Sequence, residues 1–73
     1  MEVTFIKYLK EALEREDEVA LADKFREYEQ WDSLAALSII AMIDEEFHVI
    51  ITGDDVRSSV TVEDLFRLVQ SRQ

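Results

Sequence analysis

The fold is decided by residues 31–47, which read WDSLAALSIIAMIDEEF. The run over residues 34–43 is apolar with one exception, and three consecutive acids follow it. Asp32 and Ser33 both stand where a helix N-cap is expected, because their side-chain oxygens can accept a hydrogen bond from the first helical turn. The pattern predicts a helix over residues 33–47 with enough apolar surface for central burial and for an exposed contact face.

Three further helices are predicted around this one. The first covers about residues 3–16, where apolar side chains recur at helical spacing. Residues 54–58 form a short helical turn after Gly53, which is expected to break the chain. The last helix starts at Thr61, because acids follow this residue in what would be the first turn. Its predicted buried stripe consists of Val62, Leu65, Phe66 and Val69.

Two connections carry apolar residues that should anchor them to the core. Residues 17–32 contain irregularly spaced apolar side chains, a pattern more typical of a pinned loop than of one helix face. Residues 49–52 favour a strand by propensity, but the chain offers no convincing partner strand. We therefore expect an extended connection in which Val49 and Ile51 point inward. The anchors expected in the longer connection are Val19, Leu21, Phe25, Tyr28 and Trp31.

The size and composition of the chain predict one small all-α domain over residues 1–73. Cysteine is absent, so helix packing must supply the stability, and a reducing cytoplasm fits this composition. The N-terminal region lacks a signal-peptide core, and the longest apolar run is about half of the ~20 residues that a membrane span requires. We expect a soluble, cytoplasmic monomer that does not contact a membrane.

The net charge of −9 is unevenly distributed. Residues 27–64 hold ten acids against Arg57 alone, whereas the charges in the rest of the chain cancel. Such a field repels nucleic acid and anionic lipid, and it accelerates encounter with basic protein surfaces. A solvated surface that maintains solubility is the simpler explanation for acids that are dispersed. Because these acids surround Ser33, we expect partners with basic surfaces and no nucleic acid.

The groups needed for catalysis and for metal binding are missing from the sequence. A hydrolytic triad needs a histidine beside the nucleophile, and a helix would separate His48 from Ser33 by roughly 20 Å at ~1.5 Å per residue. The consecutive acids at 44–46 fan around a helix, and Asp54-Asp55 lacks the alternating acids of a calcium loop. We therefore predict no catalytic residue, no metal-binding residue and no enzymatic activity.

Several short motifs resemble the acyl carrier proteins in their order and spacing over roughly residues 28–69. Asp32-Ser33-Leu34 is similar to the motif on which this family carries its prosthetic group. The resemblance continues well beyond these three residues. The matching positions are Trp31-Asp32-Ser33-Leu34, Leu37, Ile40, Asp44-Glu45-Glu46-Phe47, Val49, Ile51, Asp55-Val56 and Thr61-Val62-Glu63-Asp64-Leu65.

The resemblance implies a small four-helix bundle with a short third helix and a function as a carrier. In this family a phosphopantetheinyl transferase moves 4'-phosphopantetheine from coenzyme A onto the motif serine, here Ser33 between Asp32 and Leu34. Acyl groups are then carried as thioesters on the terminal sulfur, so enzymes that load or transfer acyl groups are further partners. The following helix is the family's main docking surface. The contact residues that this implies are Leu34, Met42, Asp44, Glu45 and Asp55.

Two departures from the family pattern bear on the pathway. Residues 29–31 lack the glycine that precedes the motif in carriers of primary fatty acid synthesis, and Ala35 and Ser38 occupy positions that are often acidic. These departures favour a freestanding carrier for another pathway, such as polyketide-like, modified-lipid or cell-surface glycan synthesis. A carrier of aminoacyl or D-alanyl groups is a close variant. The alternative from another class is an unmodified acidic helical adaptor that docks on a basic groove, with Ser33 only as a cap.

Overall fold

The computed structural model describes residues 2–29 and 31–73, and within these residues four α-helices and no strand are present. A 3-10 helix lies in the connection between the first two α-helices. This arrangement confirms the predicted all-α bundle with a short third helix. The elements are α1 (Glu2–Ala12), the 3-10 helix (Phe25–Glu27), α2 (Ser33–Phe47), α3 (Gly53–Ser58) and α4 (Val62–Arg72).

The core forms where α1, α2 and α4 meet. Ile39 and Ile43 of α2 are completely buried. The ring of Phe5 in α1 lies 5.6 Å from that of Phe47 in α2 and 5.3 Å from that of Phe66 in α4, measured between centroids. Tilted aromatic contacts of this kind add about 0.5–1.5 kcal/mol each to the energy of burial. Phe5 therefore joins three helices at one point.

Helix α1 ends at Ala12, four residues before the end that the sequence predicts. Glu14 adopts the left-handed backbone conformation with a φ of 52°. Its N–H donates to the carbonyl of Glu11, and the N–H of Arg15 donates to the carbonyl of Lys10, both at 3.1 Å. This pair of hydrogen bonds is a Schellman motif, which closes the C-terminus of a helix.

The connection between α1 and α2 is fixed to the start of α4. The first two backbone N–H groups of α4 donate to the carbonyls of Asp23 and Leu21 at 3.0 and 2.9 Å. Hydrogen bonds from the Ala20 N–H and the Tyr28 hydroxyl hold the pKa of Asp23 below its ordinary value. The predicted anchoring of this connection is confirmed by the buried Val19 and Phe25 and by the half-buried Leu21, Tyr28 and Trp31.

Helices α3 and α4 each begin with a capping box. The hydroxyl of Thr52 accepts from the Asp55 N–H, and the carboxylate of Asp55 accepts from the Thr52 N–H. Thr61 and Asp64 repeat this pair of hydrogen bonds at the start of α4. The expectation that Gly53 breaks the chain is wrong, because the capping box makes Gly53 the first residue of α3.

The segment between α2 and α3 follows the prediction. Val49 and Ile51 are buried, whereas Ile50 between them is exposed. His48 ends α2 in the left-handed conformation with a φ of 58°, and its N–H donates to the carbonyl of Asp44. In the part of the chain that is described, no helix combines the length and the apolar character needed to cross a bilayer. The predicted stripe of α4 is buried in full, with Val62, Leu65, Phe66 and Val69 in the core.

Candidate functional site

Ser33 is the first residue of α2, and its side chain is exposed. The N-cap is its neighbour Asp32, whose Oδ1 accepts a hydrogen bond from the Ala35 N–H at 2.8 Å. The sequence did not decide which of these two residues caps the helix, and the geometry assigns the cap to Asp32. The hydroxyl of Ser33 is therefore available for chemistry at a helix N-terminus, where an anion is stabilised by the helix dipole.

An open cleft of about 540 Å³ lies beside Ser33. We call it the α3-side cleft, because α2 and α3 form its walls together with the 3-10 helix. Its lining is mostly apolar and includes two arginines. The residues that line it include Arg26, Trp31, Ser33, Ile40, Val56 and Arg57.

A second cleft, of about 330 Å³, lies on the other side of the start of α2. We call it the α1-side cleft, because the C-terminal end of α1 and the residues after it form one wall. Asp32 borders both clefts, whereas Ser33 borders only the α3-side cleft. The α1-side cleft is lined by Ala12, Leu13, Glu14, Asp32, Leu34, Ala35 and Ser38.

Trp31 fixes the chain just before the site. Its ring packs edge-on against the buried ring of Phe25, with 5.4 Å between the centroids. Its N–H donates to the carbonyl of Tyr28 at 3.0 Å. These contacts support the interpretation of Trp31 as a loop anchor, and they hold the 3-10 helix close to Ser33.

One side of α2 is left uncovered by the other helices. The side chains of Leu34 and Leu37 are 70% and 61% exposed. Ala41, Asp44 and Glu45 are exposed at helical spacing from them, so that all five share one side at 3.6 residues per turn. We call these five residues the outer face of α2.

Met42 was expected among the docking residues, but it lies in the core with only 7% of its surface exposed. Helical spacing places it on the buried side of α2 with Ala35 and Ile39. Leu37 is exposed on the outer face, and the sequence reasoning did not name it as a contact residue. Its position three residues after Leu34 was the signal that could have identified it.

Asp55 was also expected to face a partner, but its carboxylate is occupied within the fold. Both of its oxygens accept hydrogen bonds from the guanidinium of Arg72, at 2.8 and 3.2 Å. The bond from Arg72 and the bond from the Thr52 backbone N–H lower the pKa of Asp55 to about 2. Asp55 thus ties α3 to α4, whereas Asp44 and Glu45, the other two acids expected at the docking surface, are exposed on the outer face.

The comparison with protein families gives a match over residues 4–69 to the family described as phosphopantetheine attachment site. The match covers nearly the whole described chain, including α2 and both clefts. The chain belongs to the phosphopantetheine-binding carrier family. A comparison with curated proteins found no match.

Membership in this carrier family confirms three predictions. The family is the one that the motifs resemble, its prosthetic group is covalently bound 4'-phosphopantetheine, and its carrier domains are not enzymes. Carriers of this family interact with phosphopantetheinyl transferases and with enzymes that handle acyl groups. The alternative of an unmodified adaptor loses its basis, since the family is defined by modification.

The residues around Ser33 fit such a prosthetic group. An exposed hydroxyl at the start of a long helix offers a point of attachment whose phosphodiester is favoured by the helix dipole. The apolar floor of the α3-side cleft, with Ile40 and Val56, suits the carbon chain of the arm. His48 lies at the opposite end of the fifteen-residue α2, so it does not act on Ser33 in this carrier.

Proposed function

We propose that this carrier bears its 4'-phosphopantetheine arm on Ser33 and transports acyl groups as thioesters for a pathway outside primary fatty acid synthesis. The observation that supports the attachment residue is the division of tasks at the start of α2. Asp32 caps the helix, and the exposed hydroxyl of Ser33 is left for modification.

The attachment step needs a partner enzyme. The oxygen of Ser33 forms a bond to the phosphorus next to the pantetheine of coenzyme A, and the phosphoanhydride bond to the nucleotide part breaks. We assign the hydroxyl proton to a base of the transferase, since Asp32 serves as the helix cap and His48 lies at the far end of α2. The product is a phosphodiester anion at a helix N-terminus.

The α3-side cleft supports an acyl cargo over an aminoacyl cargo. Its floor beside Ser33 is apolar, with Leu37, Ile40 and Val56, and burying an alkyl chain there is favourable by about 0.8 kcal/mol per CH₂ group. Arg26 and Arg57 are among its lining residues. A D-alanyl or other aminoacyl thioester carries an ammonium group, which would be repelled by Arg26, since this arginine forms no ion pair among the described residues.

The outer face of α2 supports a pathway other than primary fatty acid synthesis. Its acids, Asp44 and Glu45, lie at the C-terminal end of the helix, roughly 16 Å from Ser33 at 1.5 Å per residue. Closer to Ser33, Ala35 is buried and Ser38 is an uncharged exposed residue. Enzymes whose basic surfaces pair with acids near the motif therefore form fewer ion pairs with this carrier, which lowers their association rate.

The charge and composition of the chain support expectations about its oligomeric state, location and partners. We expect a monomer, because the net charge of −9 makes copies of the chain repel one another. A cytoplasmic location is supported by the absence of cysteine. Basic surfaces on the partner enzymes are supported by the acids of the outer face, none of which forms an ion pair within the described residues.

The test compares initial rates of the phosphopantetheinylated protein with a malonyl transferase and a ketosynthase of fatty acid synthesis. The wild type should be a poor substrate, and Ser38→Glu should improve its use, with a gain that shrinks as salt screens the added charge. Ser71→Glu is the matched control, because it adds the same charge in α4, away from the outer face.

Three results would contradict the proposal. Efficient use of the wild type by both enzymes would indicate that the carrier functions in fatty acid synthesis. Preferential loading by a D-alanine-activating enzyme would indicate that the cargo is aminoacyl and not acyl. Failure of the wild type to acquire an arm from coenzyme A would contradict the assignment of a carrier function to this chain.

A further inference from the structure

The two clefts beside the start of α2 differ in charge. The α3-side cleft contains Arg26 and Arg57 against the single acid Asp32. The α1-side cleft contains Glu14 and Asp32 and no cation among its lining residues. A phosphodiester on Ser33 is therefore attracted toward the α3-side cleft and repelled from the α1-side cleft.

The two arginines are not equivalent. The guanidinium of Arg57 is hydrogen-bonded to the carboxylate of Asp54, so its charge is already balanced. Arg26 takes part in none of the ion pairs formed between the described residues. Arg26 thus lines the same cleft as Ser33 and has no acidic partner among the described residues, although the protein has a net charge of −9.

The backbone of Arg26 is held in place by its neighbours. Arg26 lies in the 3-10 helix between residues 25 and 27, and the completely buried Phe25 packs against Trp31. Trp31 in turn lies two residues before Ser33. The cation is thus connected to the attachment point through a fixed aromatic contact, while its own side chain is exposed and can reorient.

We propose that Arg26 binds the phosphodiester of the phosphopantetheine arm and directs the arm into the α3-side cleft. This inference rests on the proposed attachment at Ser33. A guanidinium can donate two parallel hydrogen bonds to a phosphate, which fixes direction as well as distance. With its phosphate held there, the arm runs along the apolar floor near Ile40 and Val56, and the α1-side cleft stays empty.

The expected effect is modest, because Arg26 is exposed. Exposed charge pairs contribute up to about 1 kcal/mol, so the arm should occupy the α3-side cleft about twofold to fivefold more often with Arg26 than without it. Arg26 is therefore a positioning residue for the arm and takes no part in the transfer of the cargo.

The test uses nuclear Overhauser effects on isotope-labelled protein that carries an unlabelled arm. Wild type, Arg26→Gln and the control Lys24→Gln are modified from coenzyme A, and an intact-mass measurement first confirms the arm in each. Lys24→Gln removes the same charge from an exposed residue that does not line the cleft. The signals to be compared connect the two methyl groups of the arm with the side chains of Ile40 and Val56, and with that of Leu34 in the other cleft.

We expect wild type and Lys24→Gln to show effects at Ile40 and Val56, weakened twofold to fivefold in Arg26→Gln. Salt at 1 M, where the Debye length is about 3 Å, should weaken them in wild type and change them little in Arg26→Gln. Contacts of the wild-type arm with Leu34, an unchanged pattern in Arg26→Gln, or an equal loss in Lys24→Gln would overturn the inference.

These outcomes are distinct from a failure of the proposed function. If the wild type acquires no arm, the intact mass shows this before any spectrum is recorded, and the inference falls together with the attachment at Ser33. If only Arg26→Gln resists modification, the contacts of the wild-type arm and their response to salt decide the question.

Discussion

At the scale of single residues, Asp32 and Ser33 divide two tasks that one serine or aspartate could have combined. Asp32 accepts the hydrogen bond that starts α2, and Ser33 presents an exposed hydroxyl one residue later. Because the cap does not depend on Ser33, a bulky group can be added there without loss of the hydrogen bond that starts the helix.

Substitution of each residue should separate the two tasks. Ser33→Ala should change the free energy of unfolding by less than about 0.5 kcal/mol, because alanine is a good helix former and no cap is lost. Asp32→Ala should lower it by about 0.5–2 kcal/mol, and Asp32→Asn should restore most of this. Urea denaturation followed by circular dichroism measures all three. A larger loss in Ser33→Ala than in Asp32→Ala would assign the cap to Ser33.

A second residue-scale prediction concerns Glu14, which adopts a backbone conformation that glycine prefers. Glu14→Gly should raise the free energy of unfolding by about 0.5–1 kcal/mol, since a left-handed residue with a side chain costs roughly 1–2 kcal/mol and glycine recovers part of this. Glu11→Gly, at an exposed position inside α1, is the control and should be destabilising. Thermal denaturation distinguishes the two, and a lower melting temperature for Glu14→Gly would refute the assignment of strain.

At the scale of elements, α2 is charged against its own dipole at its C-terminal end. Its first turn contains no acid, and its last turn contains Asp44, Glu45 and Glu46 with no basic residue. Acids at a helix C-terminus are destabilising, because the C-terminal end of the dipole is negative. Asp44 and Glu45 belong to the outer face, so we interpret this cost as the consequence of a docking role.

The conflict between the stability of α2 and its docking role can be tested with two neighbouring substitutions. Glu45→Lys and Glu46→Lys should each raise the free energy of unfolding by about 0.3–1 kcal/mol, because both place a cation near the C-terminus of α2. Only Glu45→Lys should slow modification by a phosphopantetheinyl transferase, because Glu46 lies outside the outer face. Thermal denaturation and initial rates of modification give the two readouts. An equal loss of rate in Glu46→Lys would show that net charge, and no particular face, governs docking.

Sequence patterns predicted the elements well where local signals were strong. Helix α2 begins and ends as the apolar run and its flanking acids predict, and α4 begins after the Thr61 capping signal. The end of α1 was missed, because glutamate is an uncommon residue for the left-handed position at 14 and gives no stop signal. Gly53 was misinterpreted, because a capping box formed by its neighbours overrides its breaking tendency.

The candidate site was predictable in part. The motif around Ser33 identified the attachment residue that we propose, since its meaning lies in consecutive residues. Met42 was misplaced and Leu37 missed, because α2 is apolar on several sides and its pattern does not show which side is covered. Arg26 was missed because it reaches the cleft from the 3-10 helix, in another element of the chain.

At the scale of the whole molecule, one ion pair connects elements that are distant in sequence. Arg72, in the last turn of α4, donates to both oxygens of Asp55 in α3 and also to the carbonyl of Ile50. The short α3 is thereby tied to the C-terminal helix, and one wall of the α3-side cleft is fixed. Asp55 thus contributes to the shape of the cleft by fixing α3 to α4.

This tie predicts how stability depends on pH. The pKa of Asp55 is lowered from 3.8 to about 2 in the folded protein, so its contribution to stability is fully present above the unfolded pKa and is lost as the pH falls from about 4 to 2. Arg72→Gln should therefore melt at a lower temperature than wild type at pH 6, and the difference should shrink across this window. Melting temperatures at a series of pH values give the measurement. A constant difference between pH 6 and pH 2 would show that Arg72 acts through packing or through its hydrogen bond to the Ile50 carbonyl, and not through its pairing with Asp55.

The attachment of one phosphopantetheine arm to Ser33 is the central claim, and intact-mass measurement tests it most directly. Wild type, Ser33→Ala and the control Ser38→Ala are incubated with coenzyme A and a phosphopantetheinyl transferase of broad specificity; Ser38 is an exposed serine five residues further along α2. We predict that wild type and Ser38→Ala each gain the mass of a single phosphopantetheinyl group and that Ser33→Ala gains none. A full gain of that mass by Ser33→Ala, or no gain by the wild type, would contradict this account.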